Sequence, residues 1–325
     1  MTVDAADSAL TVDAAGVAMA AGAAGVALTV GTVRWSELFA EAVARFKRAG
    51  IDTALIDAQR VVEEITGVRP SGVHGVLNDL VTTGAMARFD EMVARRERGE
   101  PLQYVLGRWG FRTLDLMVDK RVLIPRPETE VVAGLAINAV DEVLGTKSRA
   151  VGDAGGSAKV ADLGTGSGAI ALSIAVECPG ARVYATDVSK DALAVARANL
   201  AGIGSAARSV SLHHGDWFEA LPDELQGTLD VVVSNPPYVS ESEGLPAVVA
   251  DWEPPTALWA DSEGFADLRS IVTQAPRWLA PRGVVVLEMS PPQTSTVQRW
   301  CRDLGWQATV HPDLNGRPRA VVARR

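Results

Sequence analysis

Three short motifs carry side chains able to do chemistry, and each follows an apolar run. The most unusual is Ser234-Asn235-Pro236-Pro237-Tyr238, directly after Leu229–Val233. Two successive prolines fix the backbone and remove its N–H donors, so this turn offers acceptors: the Asn235 side-chain oxygen and the Pro236 carbonyl. Such a turn suits a planar –NH2 group. One hydrogen goes to each acceptor, electron density is drawn back onto the nitrogen, and its lone pair is aimed at an electrophile. Pro237 stiffens the turn and Tyr238 provides an aromatic plate against the group. The plainer reading is a proline-rich turn, but it leaves unexplained why the other two motifs precede it in order on one sheet.

The second motif is Val160-Ala161-Asp162-Leu163-Gly164-Thr165-Gly166-Ser167-Gly168-Ala169-Ile170. A strand ends, glycines turn the backbone sharply, and a helix begins with its N–H groups free to face an anionic group. Gly164, Gly166 and Ala169 satisfy the G-x-G-x-x-G/A spacing, so Gly164 to Gly168, with Thr165 and Ser167, are candidate cofactor contacts. The spacing fits a nicotinamide dinucleotide and S-adenosylmethionine equally, and a packing turn is the structural alternative. The third motif is Asp187, 23 residues beyond Gly164, close to the spacing of about 20 expected for an acid on ribose hydroxyls. Asp216-Trp217 follows the next strand. There Asp216 would accept from an adenine amine and Trp217 would wall the pocket; a buried tryptophan beside a loop cap fits as well. His213 and His214 are adjacent in a strand and point to opposite faces, so no metal site is expected.

The elements that must hold these residues are legible from periodicity. Strands are expected at 159–163, 182–186, 209–213, 229–234 and 283–289, and helices at 168–177, 189–201, 266–279 and 293–304. Alternating strands and helices mean an α/β, doubly wound, mostly parallel sheet. Two last strands, near 307–311 and 319–323, are joined by too short a loop for a crossover and should form an antiparallel hairpin. Upstream, Leu38, Phe39, Ala42, Val43 and Phe46 mark one helix. Asp52 is read as the cap of a second, with Leu55, Ile56, Val61, Val62 and Ile65 buried. A short third helix is expected around Ser71–Asp79. A fourth starts at Thr83 with Met86, Phe89 and Val93 inward, and its Arg95-Arg96-Glu97-Arg98 run reads as a solvated terminus. Tyr104 to Val122 alternates like a β-hairpin, a helix begins near Glu128, and Gly152–Ser157 reads as a loop.

Composition narrows the function. Among 325 residues, 31 are Lys or Arg and 40 are Asp or Glu, a formal charge of −9. That balance argues against binding nucleic acid through phosphate neutralisation, and residues 34–100 carry 10 basic and 11 acidic side chains. Cys178 and Cys301 lack any CxxC spacing, which excludes a disulfide framework and a zinc site. Ala14–Val33 has no charge, but it is mostly Ala, Gly and Val and follows Asp4, Asp7 and Asp13 rather than a basic segment. It is read as a disordered extension or a start assigned upstream, in a cytoplasmic protein without membrane contact.

Taken together, these motifs resemble the HemK (PrmC-type) release-factor glutamine methyltransferases. The resemblance runs from about Val33 onward. It includes Glu100-Pro101-Leu102-Gln103-Tyr104, Leu123-Ile124-Pro125-Arg126-Pro127-Glu128-Thr129-Glu130, the glycine loop, Asp187, Asp216-Trp217-Phe218, Asn235–Tyr238, and Glu253-Pro254 with Ala257-Leu258. Asn-Pro-Pro-Tyr alone is shared with adenine-N6 and guanine-N2 nucleic-acid methyltransferases; the Ile-Pro-Arg-Pro-Glu-Thr-Glu segment is far more specific. One departure is Glu288-Met289-Ser290-Pro291-Pro292, where the family has a Glu-His-Gly-like turn.

The resemblance implies a class I, Rossmann-like S-adenosylmethionine-dependent domain over 125–325, a helical substrate-recognition domain over 33–100, a β-hairpin linker over 101–124 and an extension over 1–32. It implies S-adenosylmethionine as cofactor and class I peptide chain release factors as protein substrate, methylated on the glutamine of their Gly-Gly-Gln motif by a monomer. An NAD-dependent dehydrogenase would leave Asn235–Tyr238 unexplained. A nucleic-acid methyltransferase should bring a basic recognition domain, and a binding module without catalysis should have lost motif residues.

Overall fold

The computed structural model describes residues 30–69, 71–151, 156–240 and 242–325. The expectations for residues 1–29, and for 152–155 of the glycine-rich loop, lie outside the described residues. The chain divides into two units, Met1–Leu106 and Gly107–Arg325.

The first unit packs four helices: α1 (Trp35–Arg48), α2 (Ala54–Thr66), α3 (Thr83–Glu97) and α4 (Leu102–Leu106). Its core is Trp35, Phe46, Val61, Val62, Phe89 and Val93 with their neighbours. Strand β1 (Val30–Arg34) pairs antiparallel with β2 (Leu80–Thr82), so ordered structure begins inside the stretch read as an extension. The Thr82 hydroxyl caps α3 by accepting from Ala85 N at 3.2 Å.

Four expectations are corrected here. Helix α2 follows Thr53 rather than an Asp52 cap, and it buries Ala54, Asp57, Ala58, Val61 and Val62 while Leu55 and Ile56 face outward. Around Ser71–Asp79 only a single 3-10 turn forms, at Val73–Gly75. The basic run at the end of α3 is solvated only at Arg98, which is exposed; the three residues before it are paired. Arg95 bonds Glu100 and the Tyr104 carbonyl, Arg96 Nε donates to buried Asp57 at 2.7 Å, and Glu97 accepts from Arg45. Finally, Tyr104 to Leu106 is helix rather than strand. Pro101 has no N–H to lose at a helix start, and Leu102 and Val105 are drawn into the core.

In the second unit, hairpin β3 (Arg108–Phe111)–β4 (Leu114–Met117) leads into helix α5 (Pro127–Val151). Its turn residue Arg112 donates from Nε and Nη2 to Glu177 at 2.7 and 2.6 Å. The alternation then runs β5 (Ala158–Leu163), α6 (Ala169–Glu177), β6 (Ala181–Asp187), α7 (Lys190–Gly202), β7 (Val210–His214), β8 (Leu229–Ser234), α8 (Ala266–Trp278), β9 (Leu279–Glu288), α9 (Thr294–Asp303), β10 (Gln307–Pro312) and β11 (Pro318–Arg324). The sheet order is β10-β11-β9-β8-β5-β6-β7. Strands β5 to β9 are parallel, and β11 is antiparallel to both β9 and β10. The expected fold class is what forms, with strand bounds close to those read from periodicity.

Both faces of the sheet are covered, so its central strands are mostly apolar, with Asp162 of β5 and Asp230 of β8 as buried exceptions. Val231 and Val233 face Val132, Ile170 and Ile174, whereas Val232 faces Leu268, Ile271 and Val297. No helix among the described residues is long and apolar enough to cross a membrane.

Candidate active site

Strand register brings the motifs together. Leu163 of β5 pairs with Thr186 of β6 on one side and with Ser234 of β8 on the other. One residue further along the three strands lie Gly164, Asp187 and Asn235. The connections leaving β5 and β8 run to opposite sides here, which opens the crevice where open α/β sheets hold ligands. The crevice is a cavity of about 360 Å³ lined by residues of the glycine loop, Asp187, Asp216, Trp217, Asn235 and Pro237. That volume lies at the lower end of the range for small-molecule sites, about 300–1,000 Å³.

The glycine loop is built from below. Buried Asp162 accepts from the Thr165 hydroxyl at 2.6 Å and from Ala171 N at 3.1 Å, both on Oδ2. Its Oδ1 has no hydrogen-bond partner. Burial raises its pKa to about 7, against the pull of Thr165 and Ala171, with Asp187 adding to the rise. Gly164, Gly166 and Gly168 all have positive φ, at 73°, 57° and 85°. At Gly164 an added Cβ would stand 3.1 Å from the Trp217 ring, so the close approach of indole and loop requires glycine. Ser167 is buried and its carbonyl accepts from Asn199 Nδ2 at 2.8 Å, while the same amide group exchanges hydrogen bonds with the Met117 backbone.

Asp187 accepts from Gly166 N and from Ser189 N, each at 2.8 Å. Burial raises its pKa, and the two amides and His214 oppose that. A carboxylate so held keeps further lone pairs for hydroxyl donors in the cavity. Asp216 is exposed at the mouth, Trp217 is half-buried, and Asp267 also lines the cavity. The first turn of α6 opens on the same space through Ala169 and Ile170, aiming N–H groups at it.

On the opposite wall, Asn235 Nδ2 donates to Thr129 Oγ1 at 3.1 Å. Its amide nitrogen is thereby held, and the carboxamide oxygen points the other way. Tyr238 does not line the cavity. It is half-buried behind the wall, its hydroxyl directed to Glu288 Oε1 at 3.4 Å. Pro236 is buried, and of the two prolines Pro237 reaches the cavity. Gly168 lies outside the lining as well; an added Cβ there would meet Leu172 at 3.0 Å, so this glycine serves helix packing. The other sequence-predicted residues converge on the cavity.

Several site residues were not singled out as cofactor or substrate contacts in the sequence. Arg121, Thr129, Thr256, Trp259 and Asp267 all line the cavity. Glu253 is buried, accepting from Ile124 N at 3.0 Å and pairing with Arg126, and so fastens the Pro254–Trp259 wall to the segment before α5. The resemblance had marked Arg126, Thr129 and Glu253; nothing in their spacing revealed their contacts. The departing segment after β9 keeps a supporting job. Ser290 N donates to Gln293 Oε1, and Gln293 Nε2 donates to the Tyr238 and Gly264 carbonyls at 3.0 and 2.9 Å.

Known proteins resemble this chain over most of its length. The PrmC N-terminal domain profile matches residues 37–107, and the methyltransferase small domain profile matches residues 150–251. A release factor glutamine methyltransferase of Streptomyces coelicolor is 40% identical over 291 residues, spanning 88% of this chain and 96% of that protein. The protein of the same description from Deinococcus radiodurans is 35% identical over 293 residues, 89% of this chain and 98% of its own length. A solved protein-(glutamine-N5) methyltransferase from Alicyclobacillus acidocaldarius is 28% identical, covering 62% of this chain and 94% of that one at a TM-score of 0.37. With near-complete coverage of relatives at this level of identity, and with the glycine loop, Asp187 and Asn235 converging on one cavity, the chain belongs to the release factor glutamine methyltransferase family.

Proposed function

We propose that the protein transfers the methyl group of S-adenosylmethionine to the side-chain amide nitrogen of the glutamine in the Gly-Gly-Gln motif of class I peptide chain release factors. The observation that carries this reading is the held carboxamide of Asn235, whose nitrogen is engaged by Thr129 and whose oxygen is left for a donor from the cavity side. The opposite wall suits the cofactor. Asp187 offers acceptors for ribose hydroxyls, Asp216 offers one for an adenine amine, Trp217 closes that side, and the start of α6 suits a carboxylate. When bound, S-adenosylmethionine supplies a sulfonium-activated methyl group.

An amide nitrogen is a weak nucleophile because its lone pair is delocalised into the carbonyl. The residues therefore act by alignment: Asn235 Oδ1 and the Pro236 carbonyl take the two amide hydrogens, Pro237 shapes the slot beside them, and Tyr238 backs the wall from behind. Fixing the reacting atoms in this way can supply several kcal/mol, with an upper range of about 7–11 kcal/mol. A methylated amide cation is a strong acid and loses its proton to solvent, so the site needs no strong base.

The deciding experiment follows methyl transfer from labelled S-adenosylmethionine to purified release factor. Labelling is expected with intact Gly-Gly-Gln and is lost when its glutamine is replaced by alanine. Methylation of duplex DNA or ribosomal RNA at comparable kcat/KM, with release factor untouched, overturns the proposal.

A further inference from the structure

Two loops build the part of the cavity beside Asn235, and one buried side chain fastens them together. Asn235 and Pro237 come from the loop after β8, whereas Thr256 and Trp259 come from the segment before α8. Beyond the cavity the two loops run side by side. Val239 N donates to the Leu258 carbonyl at 3.2 Å, and Ala260 N donates to the Val239 carbonyl at 2.9 Å. This backbone seam is short, and Gln293 extends it. The Gln293 residue is 4% exposed, and its Nε2 donates to the Tyr238 carbonyl at 3.0 Å and to the Gly264 carbonyl at 2.9 Å. Its Oε1 accepts from Ser290 N at 3.0 Å.

We infer that Gln293 is a positioning residue for methyl transfer: with one amide group it binds both loops and holds the Asn235–Tyr238 turn in register with the Thr256–Trp259 wall. The inference rests on the proposed function in taking that turn as the seat of the substrate amide.

The donor inventory fixes how the amide must stand. A carboxamide has one oxygen that accepts and a nitrogen with two hydrogens to give. Here both hydrogens have a carbonyl each, and the oxygen has the Ser290 N–H. A flipped amide would set oxygen against two carbonyl oxygens and –NH2 against an N–H, so the orientation is determined. Pro291 and Pro292 open the 3-10 turn that carries Gln293, and their fixed φ keeps its backbone in place.

Both loops have reason to need the clamp. Between Tyr238 and Asn235 stand two prolines, which leave the turn little freedom to absorb a shift at Tyr238 before it reaches Asn235. The other loop arrives through a strained turn. Ser262 and Glu263 adopt φ 55° and 58°, ahead of Gly264 at 82°. Side chains disfavour this left-handed region, and such strain persists where surrounding contacts over-determine it. The bonds inside the turn are long, Gly264 N to the Ala260 carbonyl at 3.3 Å and Phe265 N to the Ser262 carbonyl at 3.2 Å. The bond from Gln293 is the shorter one.

The test compares the full-length chain with Gln293→Met, Ser290→Pro and Ser290→Ala. Gln293→Met keeps length and apolar volume but removes both donors. Ser290 has φ −69°, which proline adopts unstrained, so Ser290→Pro removes the N–H that orients the amide, and Ser290→Ala controls for the lost hydroxyl. Binding of S-adenosylmethionine alone, by calorimetry, reports the intact fold and should stay within about threefold of wild type in all three. In Gln293→Met, kcat with release factor should fall by about tenfold or more. Ser290→Pro should lower kcat by about threefold relative to Ser290→Ala.

A second readout needs no catalysis. In Gln293→Met, hydrogen exchange at the Val239 and Ala260 amides should quicken by about tenfold or more while the β8 amides keep their protection. Wild-type kcat in Gln293→Met, a loss of cofactor affinity as large as the loss of turnover, or unchanged exchange at Val239 and Ala260 overturns the inference. A wild-type protein that leaves release factor unlabelled, with the exchange pattern as expected, overturns the proposed substrate and supports the clamp.

Discussion

Asp187 accepts the Gly166 amide hydrogen at 2.8 Å, which makes the acid at the end of β6 part of the glycine loop as well as a wall of the cavity. Removing its carboxylate therefore loses a ligand acceptor and loosens the turn that shapes the site. Asp187→Ala should weaken S-adenosylmethionine binding by about 1.5–3 kcal/mol, the usual worth of a hydrogen bond to a charged group. Isothermal titration checks it. Asn235→Ala should instead lower kcat far more than cofactor affinity, and equal affinity losses in the two variants would dissolve the division of labour between the walls.

Arg126 and Glu253 present an asymmetric pair. The Glu253 side chain is 1% exposed and that of Arg126 is 34% exposed. Arg126→Ala leaves a carboxylate buried with the Ile124 amide as its remaining partner, whereas Glu253→Gln keeps an acceptor for that amide and leaves a guanidinium that can reach water. Arg126→Ala should be the more destabilising, by about 1–3 kcal/mol. Urea unfolding of both variants tests the order, and the reverse order would refute it.

Buried Asp162 gives stability a pH dependence. Its folded pKa, about 7, lies above the 3.8 of a free side chain, so the folded protein holds this proton more firmly than the unfolded chain. The stabilisation is complete below pH 3.8 and is lost as pH rises through about 7. Glu288, raised to about 7 from 4.5, acts in the same direction. Asp162→Asn places an uncharged group at the partnerless Oδ1 position, so its unfolding free energy should fall less between pH 5 and 8 than that of wild type. A slope identical in both would exclude Asp162 as its source.

Gly264 adopts φ +82°, and an added Cβ would strike the Tyr238 carbonyl and stand 2.7 Å from Gln293 Nε2. Gly264→Ala should cost about 1–3 kcal/mol in backbone strain and should lower kcat by shifting the loop of Tyr238. Thermal unfolding and turnover, measured together, test this; a variant with wild-type Tm and wild-type kcat would contradict it.

The parallel sheet was legible because strands buried on both faces read as apolar runs, and each of the three motifs falls at a strand end. Helix faces were harder. Periodicity admits Leu55 and Ile56 to the buried face of α2, yet α1 and α3 pack on Asp57, Ala58, Val61 and Val62, and Arg96 pairs with Asp57. The Tyr104–Leu106 segment alternates over too few residues to separate a strand from a single helical turn. Least visible were the supports. Thr129, Glu253 and Glu288 sit on separate elements, and only the tertiary fold places their oxygens against Asn235, Ile124 and Tyr238.

Strand β11 follows every other strand in the sequence but lies inside the sheet, between β9 and β10. As strands emerge in order during synthesis, β9 has Val284, Val285 and Val286 in place with its outer edge unpaired until β11 is made. An open valine-rich edge is a template for pairing with another chain, so this interval is where a nascent or truncated polypeptide is most exposed to aggregation. The same strand delivers Arg319 to Tyr238. Chains ending before it should collect as insoluble material rather than as a soluble, slower enzyme.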